Sequence, residues 1–126
     1  MSRSKLHFKN NSLYYYQAEV VNIVDGDTID AKVDLGFNTF VIKRFRVLDL
    51  DTAETWRPRN EAERRHGELA KQKAKELLLD KTILIRTGKE KGFYGRYLCE
   101  IFLENGELYS DFMKSHGFEK KEHYDE

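Results

Sequence analysis

The chain predicts a mainly β fold with helices: a five-stranded barrel, with one helix between strands 3 and 4 and a short helix after strand 5. Two observations carry this. Five short segments rich in Val, Ile, Phe and Tyr are separated by turns bearing Gly, Asn and Asp. Between the third and fourth lies a longer stretch whose apolar residues recur at helical spacing. At 126 residues the chain makes a single domain, residues 1–126, with room for one modest core.

Residues 1–12 are polar and are expected to fray. Tyr14 to Val24 is rich in Tyr and Val and reads as strand 1, its tyrosines at 14–16 serving strand packing rather than base stacking. Asp25-Gly26 turns the chain, because glycine tolerates the positive φ of tight hairpins. In strand 2, Ile29, Ala31 and Val33 alternate with Asp30, Lys32 and Asp34, so one face is buried. Leu35-Gly36-Phe37-Asn38 is the next turn. Strand 3 runs from Thr39 to Leu48, with Phe40, Ile42, Arg44 and Arg46 on one face and Val41, Lys43, Phe45 and Val47 on the other. Two arginines on one face of a barrel strand require an explanation. Residues 49–60 form a loop holding Pro58, the only proline. Asn60 followed by Glu63 has the pattern of a capping box. From there Ala62, His66, Leu69, Ala70, Lys73, Ala74 and Leu77 carry a helical stripe to about Leu79. Thr82–Arg86 and Tyr97–Leu103 read as strands 4 and 5, and Asn105-Gly106 as a turn. Tyr109–His116 is a short helix that Gly117 stops. Three strands, a helix, two strands and a helix is the order of an oligonucleotide-binding barrel, the OB-fold.

Composition, 40% hydrophobic and 35% charged, suits a globular protein with a wet surface. No apolar run approaches the ~20 residues of a membrane span, so no membrane partner is expected. The N-terminal residues are basic without an apolar stretch behind them, which reads as cytoplasmic, a secreted mature form being the alternative. Cys99 is the only cysteine, which excludes an internal disulfide and a cysteine zinc site. A net charge of zero argues against a general nucleic-acid coat. Its distribution says more: residues 1–42 carry −1, residues 43–96 carry +6 and residues 97–126 carry −5. A basic middle between acidic ends points to a local site for an anion.

Asp25 and Asp27 flank Gly26 at the end of strand 1. A calcium EF-hand loop starting at Asp25 is excluded, because its sixth residue would be Asp30 and its twelfth Gly36. Asp49, Asp51 and Glu54 follow strand 3, and the first two share a face if the strand continues through them. A hard cation such as calcium (Ca2+) takes several oxygens, so Asp27 and Asp51 could share one if the ends of strands 1 and 3 are neighbours. Solvated loop acids are the plain alternative. Arg46 on strand 3 and Arg96 after the Tyr94-Gly95 turn could clamp a phosphate, since a planar guanidinium matches two of its oxygens. Each alone is more often a surface or packing arginine, and it is their conjunction with the acids and the barrel order that points to a clamp. His7, His66 and His116 have no metal-ligand spacing and read as structural or solvated.

Together these segments resemble the staphylococcal nuclease (thermonuclease) family over about residues 16–118. VVNIVDGDTIDAKV at 20–33 is similar to its strand-turn-strand signature, FRVLDLDTAE at 45–54 to its arginine, aspartate-threonine and glutamate motif, and FYGRYL at 93–98 to its tyrosine-glycine-arginine motif. The resemblance implies a calcium-dependent nuclease that cuts the 5′ P–O bond of DNA or RNA, leaving a 3′-phosphate and a 5′-hydroxyl. It places Asp27 and Asp51 on the calcium carboxylates and Thr52 on the residue whose carbonyl completes the protein ligands. Glu54 falls on the glutamate that positions or deprotonates the attacking water, and Arg46 and Arg96 on the phosphate-clamping arginines. Tyr94 falls on a tyrosine that contacts a nucleotide phosphate. Asp25 matches an acid behind the metal ligands, and Thr28 a hydroxyl near the metal.

The chain also departs from the family. Ala53 stands where proline is usual, and Gly92-Phe93 replaces a more polar pair. Near the expected C-terminal tyrosine stand His123 and Tyr124. Only nine residues follow Gly117, and the polar tail at 119–126 is expected to bury little. A monomer is expected, oligomerisation being the alternative way to cover what a missing third helix exposes. The competing function is a non-catalytic OB-fold module that binds nucleic acid or protein. Degenerate members of the superfamily typically lose an acid or an arginine, whereas Asp27, Asp51, Thr52, Glu54, Arg46 and Arg96 are all present here.

Overall fold

The computed structural model describes residues 14–91 and 95–125, with the backbone alone for 89–91. The fraying expected of residues 1–12, His7, and the Gly92-Phe93-Tyr94 segment lie outside the described residues. Strands β1 (Tyr15–Asp25), β2 (Thr28–Asp34) and β3 (Phe40–Val47) precede helix α1 (Glu61–Leu78); β4 (Thr82–Lys91), β5 (Tyr97–Phe102) and helix α2 (Tyr109–Ser115) follow. The strands close into a barrel in the order β1-β2-β3-β5-β4. Only the β3–β5 seam is parallel. This is the barrel that the element order predicts, with the helices in the predicted places. Among the described residues no helix is long and apolar enough to cross a membrane.

Strand β2 alternates as its sequence requires, with Ile29, Ala31 and Val33 buried. Strand β1 changes phase half-way: Ala18 and Val20 are buried, and then Ile23. A register shift against β2 between Val20 and Asn22 inserts a bulge that swaps the inward face. On β3 only Phe45 and Val47 are buried, and Arg44 is accounted for by its register partner Asp30. Arg44 Nε donates to Asp30 Oδ1 at 2.7 Å and Nη2 to Oδ2 at 3.0 Å. The bonded guanidinium holds the Asp30 carboxyl below the usual aspartate range, and the same bond raises Arg44. Strand β4 continues past the expected end at Arg86 to Lys91; Lys89-Glu90-Lys91 carries no apolar signal, yet the backbone pairs Lys91 with Tyr97.

Helix α1 differs from its expected stripe. Its buried residues are Glu63, Gly67, Ala70, Ala74 and Leu78, while Leu69 is exposed. The reason is steric: a Cβ on Gly67 would stand 2.6 Å from the Ala53 carbonyl oxygen, so the helix reaches the 53–54 loop only with small residues inward. Asn60 caps the helix, its Oδ1 accepting the Glu63 amide at 2.9 Å. The Glu63 carboxylate reaches Arg59 rather than closing a box on Asn60, accepting Arg59 N at 3.2 Å and Nε at 2.6 Å. Burial pushes the Glu63 carboxyl up, but the Arg59 bonds outweigh it and hold the group below the usual glutamate range.

The tail, expected to bury little, is tied to the start of α1. Arg59 Nη1 donates to Glu122 O at 2.9 Å and Asn60 Nδ2 to Tyr124 O at 2.6 Å. His66 sits between Tyr124 Oη at 2.6 Å and Gly117 O at 2.8 Å, which gives this histidine a structural role. A main-chain bond from Lys120 N to Asp51 O, 2.7 Å, attaches the tail to the loop after β3.

Candidate active site

The β1–β2 turn, Asp25-Gly26-Asp27, packs edge-on against that loop. A Cβ on Gly26 would lie 2.8 Å from Thr52 Cγ2 and 3.0 Å from Ala70 Cβ, so the turn seats only with glycine there. From α2, the buried Tyr109 hydroxyl crosses the core and donates to the Gly26 carbonyl at 2.5 Å. Burial, with the charge of Asp27 second, raises the Tyr109 phenol far above its ordinary value, which keeps it a neutral donor.

Asp27 is 7% exposed, and each of its carboxylate oxygens has a partner. Oδ1 accepts Thr28 Oγ1 at 2.9 Å, Oδ2 accepts the Thr52 amide at 2.9 Å, and Arg46 Nη2 stands 3.4 Å from Oδ2. The same Nη2 lies 3.3 Å from Asp51 Oδ1, so one nitrogen holds two carboxylates. Arg46 Nη1 donates to the carbonyls of Val47, at 3.0 Å, and Leu50. Strand β3 stops at Val47 and Asp49 has φ 63°, so Asp49 and Asp51 do not continue a strand face. Asp51 therefore turns outward, its side chain 67% exposed.

Arg46 and Arg96 line one open cleft of about 440 Å³ with Asp51. The parallel β3–β5 seam brings them to the same end of the barrel: Arg46 pairs with Leu98, and Arg96 stands just before β5 begins. Lys114 and Glu119 complete the far wall, 3.9 Å apart. Nothing in the sequence marks Lys114, because only the packing of α2 on β5 brings it there. Half-buried Asp25 accepts Thr55 Oγ1 at 2.7 Å. Burial raises its carboxyl above the usual aspartate range, and the charge of Asp27 adds to this against the Thr55 bond. Glu54 is exposed, and its carboxylate has no hydrogen bond or ion pair among the described residues. The structure thus joins Asp27, Thr28, Arg46, Asp51 and Thr52 by direct contact and adds Arg96 across the cleft. Asp25 and Glu54 flank the group, and Tyr94 lies outside the described residues.

Among the described residues no three or more His, Cys, Asp or Glu side chains form a metal cluster. The oxygens that do converge are of the kind a hard cation takes. Two carboxylates already share one cationic nitrogen, and the buried Thr52 Oγ1 beside them has no hydrogen-bond partner.

A family model described as staphylococcal nuclease homologue matches residues 44–125. The chain belongs to that family, and is a nuclease-type or nucleic-acid-binding domain. Domains of the family are generally nucleases, and those nucleases generally use Ca2+. No curated protein matches the chain. The matched residues begin at Arg44, so Asp25, Asp27 and Thr28 precede them. The barrel supplies these, pairing Thr28 with Arg46 and bonding Val47 N to Asp27 O at 2.8 Å.

Proposed function

We propose that this chain is a calcium-dependent nuclease that hydrolyses the 5′ P–O bond of DNA or RNA to leave 3′-phosphate and 5′-hydroxyl ends. The observation that carries the reading is the single Arg46 nitrogen held between Asp27 and Asp51, at the edge of a cleft that Arg96 also lines. Asp27, Asp51 and the Thr52 carbonyl would hold the Ca2+, which when bound supplies positive charge to the scissile phosphate and its attacking water. Arg46 and Arg96 bind phosphate oxygens, where charge builds as the water oxygen attacks phosphorus and the P–O5′ bond breaks. The Nη1 bonds to two main-chain carbonyls fix the plane of the Arg46 guanidinium, which pre-orients it for this. Glu54, exposed and without a bond among the described residues, orients the water or takes its proton, and the 5′ oxygen takes up a proton from solvent as it leaves. Thr28 fixes the Asp27 carboxylate, Asp25 supports the loop through Thr55, and Tyr94 contacts a phosphate. Lys114 adds a cation to the cleft, paired with Glu119.

A binding module without catalysis is the second reading, favoured by the lack of any bond from the Glu54 side chain among the described residues. Single-stranded DNA incubated with the protein in calcium or in chelator decides between them. Cleavage only with calcium, giving 5′-hydroxyl ends, is the expected result. Products with 5′-phosphates, or undiminished cleavage in chelator, would sink the proposed site, and binding without cleavage would favour the module.

A further inference from the structure

The Glu54 loop carries a feature that the nuclease chemistry does not use. Trp56, the only tryptophan in the chain, is 71% exposed, and the Arg57 guanidinium lies 4.6 Å from the centre of its ring. Single exposed apolar side chains are ordinary. This one differs in its footing and in the cation on its face. Arg57 has φ 56°, a left-handed conformation that non-glycine residues seldom adopt and that concentrates at functional sites. The segment is braced on both sides, by Thr55 on Asp25 at 2.7 Å and by Arg59 on Glu63 at 2.6 Å. A braced loop thus presents a largely open indole with a cation on its face.

We propose that Trp56 and Arg57 form a stacking platform for an unpaired base of the substrate strand. The proposal rests on the nuclease reading. Every base offers a π face to an indole, and a guanidinium strengthens such stacking while sitting close to the phosphates. Bases inside a duplex keep their faces stacked on one another and expose only edges, so a platform selects strands that are already open.

Because Trp56 is the sole tryptophan, its fluorescence reports on this position alone. Glu54→Gln protein in calcium would be titrated with end-labelled oligothymidylate, with the same strand made abasic, and with a duplex, anisotropy recording binding in each case. Saturable quenching by oligothymidylate that tracks anisotropy, and much weaker quenching by the abasic strand and the duplex, is expected. In the otherwise unchanged chain, Trp56→Ala should raise KM for single strands roughly tenfold with little change for duplex, and Trp56→Phe should retain most of the affinity. Oligothymidylate that binds by anisotropy without moving the fluorescence, or an unchanged KM in Trp56→Ala, overturns the platform and leaves the nuclease reading standing. Quenching without cleavage by the unmodified chain in calcium does the reverse. If no strand binds, both fall.

Discussion

The two halves of the candidate site, one built around Asp27 and the other around Glu54, are in physical opposition. Asp27 is buried and takes donors from Thr28, Thr52 and Arg46, whereas Glu54, two residues beyond Thr52, is exposed and bonded to nothing among the described residues. Burying a carboxylate is costly unless it is paired and hydrogen-bonded, so the fold has closed donors around Asp27. That half is scaffold as much as chemistry. The Glu54 carboxylate, by contrast, is left open to solvent. The two arginines on one face of β3 show the same division: Arg44 is spent on a cross-strand aspartate, while Arg46 ties strand, turn and loop together.

The largest effects should separate the halves. Arg46→Ala leaves the buried Asp27 charge without its cation, which should lower unfolding stability by about 3 kcal/mol, and turnover by ~10²-fold or more. Glu54→Gln should cost a comparable factor in turnover while shifting stability by less than about 0.5 kcal/mol. Urea midpoints beside initial rates for the two variants are the measurement. Equal stability losses would break the contrast, as would an Arg46→Ala protein as stable as the parent.

How much of this could be read from residues alone follows from the range of each interaction. The order of elements was legible because alternation in β2, the turn glycines and the Asn60 cap are local signals. Three short motifs also picked out Asp27, Arg46, Asp51, Thr52 and Arg96, which the barrel does bring to one end. What sequence could not supply were contacts whose cause sits far along the chain. The inward face of α1 is set by the Ala53 carbonyl against Gly67 rather than by the helix's own leucines. Tyr124 is held through His66 and Asn60 near the start of α1, and neither bond has a periodicity to betray it. Lys114 enters the cleft for a similar reason.

The bond from Tyr109 to Gly26 is such a contact, and it permits a sharper test at intermediate effect. Tyr109→Phe keeps the ring and removes only the hydroxyl, leaving the Gly26 carbonyl without its donor at a buried position. A loss of about 1–3 kcal/mol in urea unfolding is expected. If the turn positions Asp27 for chemistry, turnover should fall as well, by less than in Arg46→Ala. Lost stability with unchanged turnover would confine Tyr109 to the scaffold.

The smallest effect concerns Asp25, whose bond to Thr55 links the turn to the Glu54 loop. Burial, then the neighbouring Asp27 charge, outweighs that bond and raises its carboxyl above the unfolded value. A raised carboxyl favours the protonated fold, so its contribution is fully present below the ordinary aspartate pKa and is lost as pH rises through the folded value. Asp25→Asn removes that loss. Relative to the parent it should therefore gain stability as pH rises through this window, and the difference should be flat below it. Glu63, held below the usual range by Arg59, must behave oppositely. Its contribution is present above the ordinary glutamate pKa and lost as pH falls through the folded value, so the deficit of Glu63→Gln should close on acidification. Urea midpoints across acid to neutral pH give both difference curves. Two curves of the same sign would mean that the Thr55 bond, rather than burial, governs Asp25, and that the turn is fastened to the Glu54 loop as firmly as it is to Arg46.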